Sequence, residues 1–390
     1  MTTPTTTSNE WQTALLGDVV RFGNGKAIKP GGEGRYPVYG SNGIIGGCEE
    51  FRYQNGVIIG RVGAYCGSVA YCPEKFWASD NTLVAFPASD QTDTKFLFYL
   101  LTDAKLNRYA GGAAQPLVTQ TVLKQVELPV PPLPVQRRIA NILSAYDELM
   151  ENSQRRIRLL EAMARALYRE WFVHFRFPGH QKIKLVDSPL GKIPHGWEVK
   201  TVADSFEISG GGTPSRKEAK YWDNGTIQWF APSGLTGADT MFMDDSPEHI
   251  TELGLAESSA RLFPAFSVML TSRATIGAIA INTHEACTNQ GFITCLPNER
   301  VPLYFLFHWL TENVPQFERM ASGATFKEIS RGVFKTIDFL QPAPAVVRRF
   351  ESQVEPMGKQ MLALQRQIQN LRRTRDLLLP RLLSGQVELS

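Results

Sequence analysis

Four loops carry the side chains of this chain best suited to chemistry. Tyr39-Gly40-Ser41-Asn42-Gly43 and Gly60-Arg61-Val62-Gly63 lie in the first half, and Gly210-Gly211-Gly212-Thr213-Pro214-Ser215-Arg216 and Ser272-Arg273-Ala274-Thr275 in the second. Short hydroxyls, amides and guanidinium groups on flexible backbone suit the edges of nucleic-acid bases. Asn pairs bidentately with adenine, Arg does so with guanine, and glycine permits close approach. The candidate base-contacting residues are Tyr39, Ser41, Asn42, Arg61, Thr213, Ser215, Arg216, Arg273 and Thr275. Gly, Asn, Ser and Pro also make ordinary turns, so each loop alone supports that plainer reading too. Trp229 and Phe230 read as core, while Tyr39 is balanced between core and stacking platform.

Catalytic signatures are missing. The chain has no phosphate-binding Gly-x-x-x-x-Gly-Lys-Ser/Thr, no His-Glu-x-x-His, no strand-bound Gly-x-Gly-x-x-Gly, no Gly-x-Ser-x-Gly and no Asn/Asp-Pro-Pro-Tyr/Phe. Its six histidines lack metal-ligand spacing. Asp204 followed by Glu218-Ala219-Lys220 formally matches a metal-dependent nuclease pattern, two acids for Mg²⁺ and a lysine. It has no counterpart elsewhere in the chain and arises readily by chance. The sequence thus expects no catalytic residue and no metal site.

The elements that must position the loops occur twice. Gly112 to Ile139 aligns without a gap to Gly323 to Phe350, an offset of 211, and each copy runs into a long helix. Ile139, Leu143, Tyr146, Met150, Ile157, Leu160, Leu167 and Trp171 recur at coiled-coil spacing. The second copy repeats the seam as Phe350, Val354, Met357, Met361, Ile368, Leu371, Leu378 and Leu382, with Leu364 in place of Ser153 and Arg375 in place of Ala164. Trp11, Gly17 and Asp18 precede Trp197, Ala203 and Asp204 by 186 residues, so the second copy carries 25 extra residues in its globular part. Ser79-Asp80-Asn81-Thr82-Leu83 reads against Thr288-Asn289-Gln290-Gly291-Phe292, and Val57 to Tyr71 loosely against Val268 to Ile281, which gives Arg61 and Arg273 matched placement.

Each globule closes in the same order: amphipathic helix, Gly-Ala turn, short helix, strand and proline-rich joint. These are Phe96 to Tyr109, Gly111 to Ala114, Thr119 to Gln125, Val126 to Val130 and Pro131 to Pro134, then Tyr304 to Met320, Ser322 to Thr325, Ser330 to Lys335, Thr336 to Leu340 and Pro342 to Pro344. Proline ends a strand and suits a helix's first turn. Further strands are expected at Val57 to Ile59, Ser68 to Tyr71, Leu83 to Phe86, Ser267 to Leu270, Ala278 to Ile281 and Phe292 to Cys295. The expected fold class is α+β, with two globular α/β-mixed domains separated by an antiparallel two-helix coiled coil in a pseudo-twofold tandem repeat. The expected boundaries are 1–134, helix 135–176, linker 177–196, 197–344, and helix with tail 345–384. Paired antiparallel, the helices would form a rod with a globule near each end. The first, Arg137 to Trp171, would span about 52 Å at ~1.5 Å per residue. The same heptads could instead zip two chains together.

A chain of 390 residues, 43% hydrophobic, has room for two cores. No apolar run approaches the roughly 18 residues of a membrane span, and Thr-rich Met1 to Glu10 reads as a disordered tail rather than a signal peptide. Five cysteines without a Cys-x-x-Cys pair point to a reducing cytoplasm. Of the net charge of +3, the helices hold more than all, so the globules are net acidic. Phosphate attraction would have to come from local patches or partner subunits, and the helix arginines read equally well as solvated faces.

The sequence Leu128-Pro-Val-Pro-Pro-Leu-Pro-Val-Gln-Arg-Arg-Ile139, with Leu167-Tyr-Arg-Glu-Trp-Phe172, Gly191-Lys-Ile-Pro-His-Gly-Trp197 and Gly211-Gly-Thr-Pro-Ser215 followed by Tyr221-Trp222, resembles the specificity subunits of type I DNA restriction and modification systems over nearly the whole chain. It departs from the family's usual pattern at Val135-Gln136 and at Pro342-Ala343-Pro344. The resemblance implies two target-recognition domains, each reading one half of an asymmetric, interrupted site in double-stranded DNA, and two conserved spacer helices. It also implies partners. Two methyltransferase subunits would bring S-adenosylmethionine and N6-adenine methylation, and restriction subunits would bring ATP-driven translocation and Mg-dependent cleavage, with no cofactor in this chain. A stand-alone DNA-binding or nuclease protein and a plain coiled-coil scaffold are the alternatives.

Overall fold

A computed structural model of the chain describes residues 11–29, 31–112, 115–237, 240–323 and 327–387. The Thr-rich start and parts of both Gly-Ala turns (Ala113–Ala114 and Ala324–Phe326) lie outside them. The chain forms two compact units, one of Met1–Asn152 with Gln367–Ser390, the other of Ser153–Arg366.

Both long helices contribute to both units. They are Leu133–Tyr168, extended by a wide π-helical turn over Arg169–Val173, and Pro344–Leu383. Each starts inside its proline joint, where fixed φ and a missing donor cost nothing. In the first unit Ile139 and Leu143 share a core with Leu382 and Leu383. In the second, Tyr168 and Trp171 pack on Phe350, ring centroids 5.9 and 6.1 Å apart. The start of each helix thus meets the end of the other, and the pair is antiparallel within one chain. All sixteen heptad positions are buried or half-buried, as are Ser153 and Ala164 between them. The π turn adds a residue, which brings Phe172 inward beside Trp171, against Phe305 at 4.8 Å and Phe350 at 5.1 Å.

Polar exceptions on the seam are anchors. Arg375 takes the place of Ala164 because its guanidinium reaches Asp147 on the facing helix at 2.5 Å. Asp147 also accepts from the Tyr99 hydroxyl at 2.5 Å. Gln136, 1% exposed, accepts from the Asp93 amide at 2.9 Å and donates to the Pro131 and Gln91 carbonyls. It thereby braces the start of helix Thr94–Asp103. Glu351 does the same in the second unit, accepting from the Tyr304 and Phe305 amides at 3.0 and 3.2 Å at the start of helix Leu303–Met320. These amides have no partner within their own helix.

The first unit holds a six-stranded sheet in the order Val20–Asn24, Thr82–Pro87, Tyr53–Gly60, Val69–Ala78, Tyr36–Gly40, Gly43–Cys48. Its ladders are antiparallel except where Tyr36–Gly40 runs parallel to Val69–Ala78. The second unit repeats this arrangement in two sheets, because the counterpart of Val69–Ala78 breaks into Ile279–Asn282 and Ala286–Thr288. The break has a local cause: buried Asn282 spends its side chain on the Ser267 amide and the Pro264 and His284 carbonyls. Every strand expected from apolar runs lies in or overlaps a strand, and helices occupy each expected position. Segment Tyr39–Gly43, expected to be a loop, is instead a hairpin with Ser41-Asn42 as its turn.

Candidate nucleic-acid interface

In the first unit the hairpin turn at Ser41 and the loop at Arg61 bond to the turn Ser79–Asn81 at one end of the sheet, and the segment Pro116–Val118 bonds to the Arg61 loop. The Asn81 carbonyl accepts from the Ser41 hydroxyl at 2.7 Å and from the Arg61 amide at 2.9 Å. The Arg61 carbonyl in turn accepts from Val118 at 3.0 Å, and Gly63 donates to Pro116 at 3.1 Å. Apart from the Ser41 hydroxyl bond, the four loops are tied by main-chain bonds that do not depend on side-chain identity, the hairpin by the Ser79 amide donating to the Tyr39 carbonyl at 2.9 Å.

The second unit makes the same main-chain bonds at shifted numbers, while Pro232 stands where Ser41 does and offers no hydroxyl. Ser272 donates to the Gly291 carbonyl at 2.8 Å, Ile329 to Ser272 at 3.0 Å, Ala274 to Lys327 at 3.0 Å, and Asn289 to Phe230 at 2.9 Å where Ser79 donates to Tyr39. Val38 and Tyr39 pair with Trp77 and Ala78 as Trp229 and Phe230 pair with Cys287 and Thr288. Pro232, Ser233, Arg273, Thr275, Asn289 and Gln290 line a cavity of about 490 Å³ there. Thr213 joins this group, its hydroxyl donating to Gln290 Oε1 at 2.7 Å.

This correspondence corrects two expectations. Arg61 is equivalent to Ser272 and Arg273 to Val62, so the two arginines are not matched. Adjacent residues on extended backbone face opposite ways, and the consequences differ: Arg61 Nε is buried without a partner, whereas the half-exposed Arg273 approaches Glu328 at 3.8 Å. The alignment of Ser79–Leu83 with Thr288–Phe292 is likewise one residue out, since Ser79 matches Asn289 and Asp80 matches Gln290.

Two further candidates, Tyr39 and Arg216, have other employment, and Ser215 keeps an exposed side chain. Tyr39 is core: it is 9% exposed, packs edge-on against Phe76 and is equivalent to Phe230, which is fully buried. Burial pushes its hydroxyl pKa up. Arg216 has both arms of its guanidinium on Glu248, one at 2.9 Å, and lies over the Trp222 ring at 3.7 Å. Its hydrogen bonds hold the Glu248 carboxyl below its ordinary range, and the end-on fork of the guanidinium is taken by that pair. The glycines before it serve close packing of the protein on itself, because a Cβ at Gly211 would meet the Thr288 carbonyl oxygen at 2.1 Å. Ser215 is exposed, its carbonyl held by Trp222 Nε1 at 3.1 Å.

Ser41, Asn42 and Arg61 therefore come together in the first unit, and Thr213, Arg273 and Thr275 in the second. Sequence reasoning missed Asp80, Ser233, Asn289 and Gln290, which the corrected repeat register would have brought into view. The nuclease pattern is not assembled as a site. Asp204 accepts from the Thr201 hydroxyl at 2.6 Å and Glu218 lies 4.0 Å from Lys220, and the described residues gather no group of three His, Cys, Asp or Glu side chains.

Two α+β heads presenting the same loops with different polar groups, on a shared pair of helices, define an internally duplicated protein. The type I restriction modification DNA specificity domain family matches this chain twice, over residues 8–162 and 194–344, and the chain belongs to that family. The specificity subunit of the type I restriction enzyme MjaIX of Methanocaldococcus jannaschii is 34% identical over 185 residues, 45% of this chain and 42% of that protein. The specificity subunit of HindI of Haemophilus influenzae is 21% identical over 378 residues, covering 80% and 82%. The chain thus spans less than half of the first relative and about four-fifths of the second. In fold it is similar to the crystal structure of a type I restriction-modification S subunit from M. genitalium, with a TM-score of 0.67 at 16% identity over 100% of this chain and 99% of that one.

Proposed function

We propose that this chain is the DNA sequence-specificity subunit of a type I restriction-modification complex and is itself non-catalytic. Each unit reads one half of a bipartite, asymmetric site, and the paired helices set the gap and dock two methyltransferase subunits. S-adenosylmethionine belongs to those subunits, and ATP and Mg to restriction subunits. The observation that carries the reading is the loop cluster built twice on one main-chain framework with different side chains, which suits two unlike half-sites in a duplex whose backbone is itself dyad-symmetric. No helix among the described residues is long and apolar enough to cross a membrane, and a cytoplasmic location fits access to DNA.

Mapping methylated adenines genome-wide in cells carrying this chain with its methyltransferase tests the proposal. A single interrupted two-part motif is expected, absent when the chain is deleted. A nuclease would instead cleave DNA with Mg²⁺ alone, and a scaffold would leave the methylation pattern unchanged on deletion.

A further inference from the structure

The turn Ser79–Asn81 and its counterpart carry opposite chemistry in the two units. In the first, Thr82 donates to the Ser79 carbonyl at 3.0 Å and closes the turn, which leaves Asp80 exposed at its tip. In the second, the Gly291 amide donates to Asn289 Oδ1 at 2.8 Å, which leaves Gln290 exposed at the equivalent tip. Asp80 forms no ion pair or side-chain hydrogen bond among the described residues.

A carboxylate on a surface that meets DNA is repelled by phosphate, so a favourable role requires a donor to face it. It accepts only. In the major groove the available donors are the amino groups of cytosine N4 and adenine N6. Gln290 differs because the Thr213 hydroxyl occupies its Oε1. The amide is held with Nε2 free, a donor suited to guanine O6 and N7 or thymine O4.

We propose that Asp80 and Gln290 are paired specificity-determining residues, Asp80 selecting a base that offers an amino group to the first unit and Gln290 one that offers an acceptor to the second. Thr213 is the positioning residue for Gln290. The inference rests on the DNA-recognition reading above and adds to it the residues and the polarity of their contacts. It also explains why an acid is tolerated in the cluster.

The test is the methylation motif of cells carrying the chain and its methyltransferase, for wild type, Asp80→Asn, Asp80→Gln, Gln290→Glu and Thr213→Val. Each Asp80 variant is expected to relax or invert one base pair of one half-site, with discrimination there falling on the order of 10- to 100-fold, while the other half-site is unchanged. Gln290→Glu should do the converse, and Thr213→Val should relax the Gln290 position alone. Where a variant abolishes methylation, selection of random duplexes by its purified complex with the methyltransferase replaces the motif. Altered preference at one pair supports the proposal, and intact preference overturns it. Unchanged motifs overturn it too, as does an Asp80→Asn complex that binds every duplex more tightly alike, since the carboxylate would then merely repel phosphate. A wild-type complex that marks no defined sequence defeats the underlying reading, a result distinct from wild-type specificity that these variants leave intact.

Discussion

Glu351 and His308 lie in the same core and titrate in opposite senses. Burial raises the Glu351 carboxyl from 4.5 to about 7, against the lowering pull of two backbone amides and with Glu355 adding to the rise. Burial lowers the His308 imidazole from 6.5 to about 4, helped by the Arg165 charge. His308 is 3% exposed, among the rings of Tyr168, Phe307 and Phe350. For Glu351 the folded state binds the proton more tightly than the unfolded state. Its stabilising contribution is therefore full below pH 4.5 and is lost as pH rises to about 7. For His308 the unfolded state binds the proton more tightly, so its contribution is full above pH 6.5 and is lost as pH falls to about 4. At ~1.4 kcal/mol per unit, each shift corresponds to about 3 kcal/mol before discounting for residual solvent screening.

Between pH 4.5 and 6.5 the two slopes nearly cancel, and substitution uncovers each. Relative to wild type, Glu351→Gln should gain stability as pH rises from 4.5 to 7, by about 2–3 kcal/mol, and His308→Phe should lose a similar amount from pH 4 to 6.5. Comparing variant with wild type at each pH removes the titration of every other group. Urea unfolding followed by tryptophan fluorescence suits the measurement, because five of the seven tryptophans (Trp171, Trp197, Trp222, Trp229 and Trp309) belong to the second unit. Difference curves flat to within about 0.5 kcal/mol would refute the opposed-pair reasoning.

Asp147→Ala should destabilise the first unit by about 1–2 kcal/mol, since it leaves the Tyr99 hydroxyl without its acceptor and removes the carboxylate that ties Arg375 to the facing helix, Asp376 still holding the rest of that guanidinium, and urea unfolding reads the loss. Arg216→Ala should cost about 1 kcal/mol, through the ring contacts and the half-exposed Glu248 pair, without altering the methylated motif. A changed motif at full stability would return Arg216 to the DNA-contacting set. Seven residues added in register to both long helices, about 10 Å at ~1.5 Å per residue, should widen the unread gap by roughly three base pairs at ~3.4 Å each. A motif with its original gap refutes the ruler.

The helices, joints and closing strands were legible because their signals are local. Heptad spacing marks the seam, and Pro131-Pro132 and Pro342 can end a strand but not continue one. What escaped was non-local. Tyr39 to Gly43 reads as loop because Gly40, Ser41, Asn42 and Gly43 are all turn formers, yet its ends belong to a hairpin that pairs from Tyr36 and Cys48 down to Gly40 and Gly43. Glu248 lies 32 residues from Arg216, so nothing near the arginine reveals that it is occupied. The pairing of Arg61 with Arg273 failed for a different reason. Matching residue types pulled the repeat out of register, and a slip of one residue exchanges inward for outward positions.

The second unit's extra residues follow from the same framework. Equivalent strand positions are 191 apart at Tyr39 and Phe230 but 211 apart at Val57 and Val268, so 20 of the additional residues enter between Phe230 and Val268. They include Thr240 and Asp244, which bond Gln365 and Arg366 of the second long helix, the Arg366 contact at 2.7 Å. The first unit has no such insertion and fastens its head through Tyr99, Asp147 and Arg375 instead. Both solutions leave the turn at Asp80 or Gln290 outside the anchoring. A side chain there can change at the small cost of an exposed substitution, whereas a change on the strands disturbs a ladder and a core. Duplication of the main-chain bonds thereby separates what stays constant between the units, the placement of four loops, from what differs, the polar group each turn presents.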